Sequence, residues 1–348
     1  KQKIEEVTVS MDVIDSKLIE SKNCITLSDL IRNVPSIQLI DGQLNIRSGS
    51  GWSYGTGSRV LVMVDQMPIL SADQGEVDFN LIPMENIERI EVIKGASSAL
   101  YGSSALNGII NIKTKTPSLN PQTIVSSFVG FWDSPKDPRN KWWGDSLMLR
   151  NGISLSYSKK IKNLDLTLSA NHYNDRGYIK FINNQQTRIS ANSKLVKDKV
   201  TFGLNLNYMQ RKSGLFVMWQ NDTNAYIPLG GTNIPNNGNR FYIDPSITYY
   251  HNSFKHVLRS RILSRNLFYN DNPNNINNSL LSFNEYQNQF HDENTTITSG
   301  ITLVSLKGKT NSFNSQFTQD GQITGENYSA YLQLDQKINK INFSIGGR

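Results

Sequence analysis

The chain has 348 residues, of which 37% are hydrophobic and 19% are charged, and its formal net charge at pH 7 is +7. No apolar run approaches the roughly 20 residues that a membrane-spanning helix needs, which excludes a helical membrane protein. The lysines and arginines are dispersed and no basic helix or aromatic RNA-binding motif accompanies them, so we expect no nucleic-acid partner.

Cysteine and histidine usage bears on redox and metal chemistry. Cys24 is the single cysteine, which excludes an internal disulfide, and we expect it to be a free, buried thiol in or before the first helix. The four histidines lack metal-ligand spacing, and no carboxylate pair or Ser-His-Asp set emerges. We therefore expect no metal, no cofactor, no catalytic residue and no enzymatic activity. Because the chain begins at Lys1 without Met or a signal peptide, we expect a processed or trimmed N-terminus.

The first segment of interest, residues 4–10, combines β-forming side chains with polar flanks. Val7 and Val9 favour an extended backbone. Such a segment suits addition as a strand to the exposed sheet edge of a partner, because backbone groups carry most of that contact. A first strand of the following domain, or a frayed terminus, is the alternative.

A helix and two loops are predicted next. Thr26 suits the N-cap, Asp29 suits the capping-box position three residues later, and Pro35 marks the stop. The glycine-rich loop of residues 48–58 lacks the G-x-G-x-x-G spacing of a nucleotide site, and a second loop covers residues 69–78. Loops on a rigid scaffold often carry binding residues, although a solvated loop without ligand is the alternative. The candidate ligand contacts are Arg47, Trp52, Tyr54, Arg59, Asp73 and Gln74.

Residues 82–115 are predicted to form a strand, a glycine-punctuated turn and a return strand. Ile90 and Val92 share one face of the first strand, and Glu91 lies on the other. The segment between the strands is long enough for one helical turn. On periodicity alone, a soluble α+β protein fits equally well.

The motifs in this segment are more specific than its periodicity. Residues 87–92 read Ile-Glu-Arg-Ile-Glu-Val, residues 98–102 read Ser-Ala-Leu-Tyr-Gly, and residues 111–115 read Asn-Ile-Lys-Thr-Lys. In this order they resemble the end of the plug domain of TonB-dependent outer-membrane receptors.

Three upstream segments extend the resemblance. Residues 27–37 look like the family's plug helix and its Val-Pro-Gly turn, residues 44–47 like its Ile-Arg-Gly strand, and residues 60–68 like its buried strand ending in Asp-Gly-x-Pro. The departures are Ser36, Ser48, Gln66 and Asn107, which stand where the family often has glycine. The Asn-Gly pair at 107–108 is similar to the SusC-like branch, which imports glycans or peptides with a surface lipoprotein.

The pattern changes to almost continuous β-structure after two prolines, Pro117 and Pro121, which interrupt the strand ladder. Apolar residues then alternate with Ser, Thr, Asn and Asp over successive stretches, as at Ile153, Leu155 and Tyr157. We predict a partner-binding segment at 1–10, a plug domain at 11–120 and barrel strands at 121–348. Alternation alone does not separate a membrane barrel from a soluble β-sandwich.

The lengths of the connections favour the barrel. Short joins at 159–163, 197–199, 252–255 and 339–340 alternate with long ones at 213–240, 271–281 and 307–325. Tight turns on one side and long loops on the other are typical of outer-membrane barrels. We count about ten or eleven strands, whereas barrels of this family are understood to have about 22. The predicted fold class is therefore an α+β plug followed by antiparallel transmembrane β-barrel strands, about half of a barrel, and we expect the sequence to be a fragment.

Arginines in one predicted strand suggest contacts between plug and barrel. Arg259, Arg261 and Arg265 lie on the face opposite Leu258 and Ile262. Because guanidinium groups are costly against lipid, we expect them to point into the barrel. Glu88 and Glu91 of the plug are the predicted partners of these arginines, with a wet, cationic lumen as the alternative.

The resemblance implies energised import across the bacterial outer membrane, in a multi-pass β-barrel surrounded by outer-membrane lipids. It implies that TonB, energised by ExbB and ExbD, captures the N-terminal segment, here Ile4, Glu5, Glu6, Val7, Thr8, Val9 and Ser10. The ligand is left open among siderophores, vitamins, glycans and peptides, and a SusD-like lipoprotein is a further possible partner. The alternatives are a non-transporting barrel within an outer-membrane assembly and a soluble β-sandwich binding protein.

Overall fold

The fold is described from a computed structural model. It describes residues 10–22, 24–40, 42–47, 58–72, 75, 77–95, 98–214, 216, 218–231, 233–269, 276–310, 321–339 and 341–348. The predicted sites at residues 4–9, Trp52, Tyr54, Asp73 and Gln74 lie outside these ranges.

The first part of the chain forms a five-stranded mixed sheet and a small hairpin. The sheet has the order β1-β6-β7-β4-β5, in which β4 and β7 are parallel and the other neighbours are antiparallel. Its strands are β1 (Ser10–Asp15), β4 (Val60–Val64), β5 (Met67–Pro68), β6 (Ile87–Lys94) and β7 (Gly108–Thr114), and the hairpin consists of β2 (Ile37–Ile40) and β3 (Gln43–Ile46). We call residues 10–115 the plug, after the resemblance.

In the described part of the plug, three short α-helices accompany this sheet: α1 (Ser16–Ser21), α2 (Leu27–Arg32) and α3 (Ser98–Tyr101). The predicted capping box of α2 is confirmed, since the Asp29 N–H donates to Thr26 Oγ1 at 3.2 Å and the Thr26 N–H donates to Asp29 Oδ2 at 3.3 Å. The prediction of a strand, one helical turn and a return strand at 82–115 is also confirmed by β6, α3 and β7. Among the described residues, no helix is both long and apolar enough to cross a membrane.

The plug core consists of residues of the plug sheet, its hairpin and its helices, and residues of the later strands join it. Its centre is apolar, as shown by Ile90, Val92 and Ile110, which are fully buried. The thiol of Cys24 lies beside this core and is only half-buried, whereas the sequence led us to expect a buried thiol. Partial burial nevertheless raises the pKa of Cys24 above its usual value.

Two backbone features of the plug explain its unusual residues. Asp65 and Gln66 join β4 to β5 with φ values of 49° and 69°, and such a two-residue turn is usually built from Asn, Asp or Gly. Asp65 supports the turn by accepting hydrogen bonds from the N–H and the hydroxyl of Thr114, at 3.0 and 2.7 Å. Gly108 has φ +138°, and a Cβ there would lie 2.5 Å from the carbonyl oxygen of Ile93, so only glycine fits.

The second part of the chain is one antiparallel sheet of eleven strands in sequence order, which we call the wall. Its strands are β8 (Gln122–Trp132), β9 (Met148–Ile161), β10 (Leu164–Asp175), β11 (Asn184–Lys197), β12 (Val200–Gly214), β13 (Pro235–His251), β14 (Phe254–Tyr269), β15 (Ile276–His291), β16 (Thr295–Thr310), β17 (Gln322–Ile338) and β18 (Ile341–Gly347). The predicted fold class, an α+β plug followed by antiparallel barrel strands, is confirmed.

Burial along the wall follows the predicted alternation. Leu258 and Ile262 of β14 are exposed, whereas Arg259 and Arg261 between them are buried. Most apolar side chains of β14 and its neighbours thus cover the face directed away from the plug, and most polar ones the face directed toward it. Met209, Tyr242, Leu263 and Leu281 are apolar exceptions that face the plug and join its core.

The connections of the wall alternate in length. Two- or three-residue turns join strands at one end, as at 162–163 and 252–253, and we call this the turn end. Segments such as 133–147 and 215–234 join them at the other, the loop end. The strands reach further into the predicted long connections than expected: β13 already begins at Pro235, because residues of polar composition still pair with β12. Cross-strand backbone pairing thus overrides low β propensity in these residues.

Candidate functional site: the contact between plug and wall

Arg261 of β14 connects the wall to the plug. Its Nη1 donates to the carbonyl oxygens of Met67 at 3.1 Å and Pro68 at 2.7 Å. Its Nε donates to Asp244 Oδ1 of β13 at 2.7 Å, and Nη2 pairs with the other carboxylate oxygen. The guanidinium lies 4.6 Å from the ring centre of Tyr242 and is inaccessible to solvent. A buried guanidinium group needs an acceptor for its N–H donors and an anion to balance its charge, and the plug backbone supplies two of the acceptors of Arg261.

Arg188 of β11 makes a second contact of the same kind. Its Nη1 donates to the carbonyl oxygens of Asn80 at 2.6 Å and Ile82 at 3.0 Å. Its Nη2 pairs with Glu85 at 2.7 Å, and both side chains are more than nine-tenths buried. One arginine therefore binds both the backbone and the charge of residues 80–85.

Asp78 of the plug faces a group of wall arginines. Its carboxylate pairs with Nε of Arg240 at 2.7 Å, and the Arg240 side chain is only 3% exposed. Burial alone would raise the pKa of Asp78, but the positive charges of Arg240, Arg211 and Arg265 lower it to about 2. Asp78 is therefore ionised throughout the physiological range.

Arg259 of β14 holds the turn between β4 and β5. Its Nη1 donates to Gln66 Oε1 at 2.7 Å. Its Nε pairs with Glu285 of β15 at 2.9 Å, and Nη2 donates to Gln287 Oε1 at 2.9 Å. Tyr331 donates to the same Glu285 carboxylate at 2.8 Å. Gln66, where the resembled family has glycine, thus supplies a side-chain contact to the wall.

Neutral hydrogen bonds complete the contact. Asn86 donates to Ser169 Oγ at 3.0 Å and accepts from Ser156 Oγ at 2.8 Å. Asn207 donates to the carbonyl oxygen of Leu81 at 3.0 Å. Because these groups are buried, breaking the contact would leave donors and acceptors unpaired until water enters.

The expected pairing of Glu88 and Glu91 with wall arginines is not formed in the described part of the chain. Both glutamates pair within the plug with Arg89, each at 2.9 Å, and Glu91 also accepts from Asn111 at 2.7 Å. The arginines instead find acids on neighbouring wall strands, Asp244 for Arg261 and Glu285 for Arg259. Asp244 and Glu285 lie on the strands next to β14, within reach of its arginines, whereas Glu88 and Glu91 are already paired with Arg89 inside the plug.

Among the other predicted site residues that are described, Arg47 and Arg59 have hydrogen bonds within the plug, whereas Arg265 lies on the wall near Asp78. Arg47 donates to Ser10 Oγ at 3.1 Å, and the carbonyl oxygen of Arg59 accepts from the Asn107 N–H at 3.1 Å. Arg265 stands opposite Arg240 in the register of β13 and β14. Ser10, the first residue of β1, pairs with Lys94 of β6, so that end of the predicted partner-binding segment is already part of a sheet. Ser10 would have to separate from β6 before it could be added to a partner sheet, and its place in the TonB-binding segment stays a prediction.

An aromatic cluster at the loop end was missed by the sequence analysis. Tyr178 packs between Trp132 and Tyr226, with ring centres 4.8 and 5.1 Å away. Arg150 lies over the Trp132 ring at 4.7 Å, and Trp132 Nε1 donates to Asp175 at 2.8 Å. The rings come from three separate segments of the chain, so only folding brings them together. The density of tryptophan at 132–143 was the available signal.

A cavity of about 680 Å³ separates the plug from β8–β11. Both sides of the cavity mix apolar and polar residues, as shown by Phe79 and Glu85 on the plug side and by Phe128 and Gln186 on the wall side. Its volume falls within the roughly 300–1,000 Å³ of ligand pockets. The plug therefore does not fill the concave side of the wall evenly.

Comparison with known proteins places these features in a family. Residues 3–109 match the TonB-dependent Receptor Plug Domain. The chain is 37% identical over 134 residues to the vitamin B12 transporter BtuB of Vibrio cholerae serotype O1, which covers 38% of this chain and 22% of that protein. It is 33% identical over 125 residues to the ferric enterobactin receptor PirA of Pseudomonas aeruginosa, which covers 32% of this chain and 17% of that protein.

The fold agrees over nearly the whole chain. The crystal structure of the siderophore receptor PirA from Acinetobacter baumannii superimposes with a TM-score of 0.75 at 19% identity, covering 97% of this chain and 55% of that one. Residues 3–109 carry the plug domain of TonB-dependent receptors, and the chain as a whole has the fold of these receptors. This confirms the predicted family and the predicted location in the outer membrane.

The comparisons also bear on the class of activity. The two curated relatives are a transporter and a receptor, not enzymes, in agreement with the sequence analysis. The matched parts of this receptor cover less than a quarter of either curated relative.

The pair of Glu85 and Arg188 provides a first test of the contact. Replacing Glu85 by Gln keeps the side-chain shape but removes the charge that Arg188 needs in a buried place. We expect the receptor to lose about 1.5–3 kcal/mol of unfolding free energy. Denaturant unfolding of the detergent-solubilised receptor measures the change.

The matched control is Glu88→Gln, because its partner Arg89 keeps a second carboxylate in Glu91. We expect this variant to unfold like the unaltered receptor. Equal losses in the two variants would contradict a specific role of the Glu85 contact.

Proposed function

We propose that the receptor imports a scarce nutrient across the outer membrane, in an energised step that moves the plug. The observation that carries the proposal is the set of arginines that hold the plug against the polar face of the wall. Water can replace the partners of these charged groups once the contact opens, so a plug held by them in addition to neutral and apolar contacts can be stable at rest and still be displaced by a mechanical pull. As part of the proposal, residues 11–120 are the plug and 121–348 the barrel.

TonB is the proposed partner, energised by ExbB and ExbD. We propose that it captures Ile4, Glu5, Glu6, Val7, Thr8 and Val9 by strand addition. The adjoining β1 is an edge strand of the plug sheet, paired only with β6 among the described strands. Tension on residues 4–9 would therefore act first on the β1–β6 ladder.

The ligand is proposed to enter at the loop end, between the wall loops and the plug loops. Arg47, Trp52, Tyr54, Arg59, Asp73 and Gln74 remain the proposed plug contacts. The ring cluster of Trp132, Tyr178 and Tyr226 extends this proposal to the wall, since aromatic faces bind ring-shaped or apolar ligand parts well. The two curated relatives are named as a vitamin B12 transporter and a ferric enterobactin receptor. Vitamins and siderophores are therefore both among the ligands that we propose.

The test is uptake by cells in which the complete receptor is the only one for the probe. Radiolabelled cyanocobalamin and ferric enterobactin are offered separately, with and without a protonophore. We expect accumulation of one of them that stops when the protonophore removes the proton gradient. The same comparison is made with glycan and peptide probes. Import would be contradicted if cells without the receptor accumulated every probe as well as cells that carry it.

The Asn107-Gly108 pair resembles the SusC-like branch, in which a surface lipoprotein accompanies import, so a SusD-like lipoprotein is a further proposed partner of the importer. A non-transporting barrel within an outer-membrane assembly is the second candidate. Isolation of the complete receptor from membranes with a lipoprotein attached, and without any uptake, would support it.

A further inference from the structure

Three arginines on adjacent wall strands gather around one carboxylate of the plug. Arg240 and Arg265 stand directly opposite each other on β13 and β14. Arg211 of β12 lies opposite Gly238, two residues from Arg240 along β13, and all three lower the pKa of Asp78. Like charges at this spacing repel one another unless anions lie between them.

Arg240 is not satisfied by this carboxylate. Its side chain is 3% exposed and pairs with Asp78 through Nε, while Nη1 has no hydrogen-bond partner among the described residues. A buried guanidinium nitrogen without an acceptor is costly, since each N–H loses its hydration on burial. Arg240 Nη1 is therefore a donor that a further acceptor oxygen beside Asp78 could satisfy.

Arg211 is more accessible from the loop end than Arg240. Arg211 is only half-buried and uses its Nε to donate to Asn184 at 2.9 Å. Gly238, opposite it, carries no side chain that could cover the guanidinium. An anion arriving from the loop end would meet Arg211 before it reaches Arg240, which lies deeper along the wall.

We propose that Arg211, Arg240 and Arg265 form a binding site for a multiply charged anion, a carboxylate or phosphate group of the ligand, which displaces Asp78. The ligand's oxygens accept the hydrogen bonds of Arg240 in place of Asp78. Asp78 and the plug backbone next to it then move away from the wall. Binding is thereby coupled to loosening of residues 77–82, because a ligand that binds the displaced state better shifts the equilibrium toward it. This inference rests on the proposed import function and narrows its substrate to anionic compounds.

The experiment uses the complete receptor in detergent at low ionic strength, where exposed charges are weakly screened. Inorganic pyrophosphate and citrate serve as probes, and their affinities are measured by calorimetry. We expect Arg240→Gln to weaken binding by about tenfold or more, because charge-assisted hydrogen bonds are lost. We expect Asp78→Asn to strengthen binding, because the internal competitor is neutralised.

Lys212→Gln is the matched control. Lys212 neighbours Arg211 in β12 but is exposed on the opposite face, so its replacement changes net charge equally without touching the site. An equal loss of affinity in Lys212→Gln and Arg240→Gln would overturn the proposal in favour of general attraction. A weaker affinity in Asp78→Asn would overturn the competition.

Hydrogen exchange tests the coupling and detects misfolding of the variants. We expect pyrophosphate to speed exchange of backbone amides at 77–82 in the unaltered receptor and to leave it unchanged in Arg240→Gln. Binding without any change in exchange would overturn the coupling. If the probes bind as expected but no ligand is taken up in an energised step, the proposed import is wrong and the anion site stands. If a ligand is taken up but neither probe binds, the anion site is wrong and the proposed import stands.

Discussion

Replacing Val7 by Pro is expected to abolish energised import while leaving the receptor folded. Strand addition to TonB requires backbone N–H groups, and proline removes one and fixes φ. Val7 precedes β1, whose first residue is Ser10, so the β1–β6 ladder keeps all its pairs. Uptake of the transported probe should fall to the level of cells that lack the receptor, whereas binding of the probe to whole cells at low temperature should persist.

The matched control is Gln2→Pro, which introduces the same residue outside the proposed TonB-binding segment. We expect normal uptake in this variant. Undiminished uptake in Val7→Pro would contradict capture of residues 4–9 by TonB and would favour the alternative that this segment only extends the first plug strand.

Replacing Arg261 by Gln is expected to weaken both the wall and its hold on the plug. The change leaves the Asp244 carboxylate, which is 4% exposed, without its cation. It also removes the donors to the carbonyl oxygens of Met67 and Pro68. Removing one partner of a buried ion pair costs about 3–5 kcal/mol, and we expect a loss of that size in denaturant unfolding of the complete receptor. Cells carrying the variant should also become more sensitive to large antibiotics that the closed barrel excludes.

Two variants separate the buried charge from a general loss of arginine. Arg139→Gln removes an exposed arginine that pairs with Asp137 on a wall loop, and its unfolding should match that of the unaltered receptor. Arg261→Gln combined with Asp244→Asn should recover part of the stability, because no unpaired charge is left buried. A double variant no more stable than the single one would show that the lost plug contacts, and not the unpaired carboxylate, dominate.

The arginines of the wall show where sequence reasoning reaches its limit. Alternation in β14 was enough to direct Arg259 and Arg261 to the polar face, because guanidinium groups are excluded from lipid. It was not enough to name their partners. Glu88 and Glu91 had the right charge, but Arg89 lies beside them in the same strand, and Asp244 and Glu285 lie beside the arginines in the wall.

The sequence by itself determined the local features of this receptor. Period-two alternation, the Thr26 capping box and the alternating connection lengths each depend on residues close together in the chain, and the plug motifs identified the family. Only the tertiary structure decided the contacts that join distant segments. Arg261 meets Pro68, and Tyr178 meets Trp132 and Tyr226, because the register of eleven strands and the seating of the plug fix their distances. No short-range pattern encodes such distances, since many registers satisfy the same alternation and burial selects one of them.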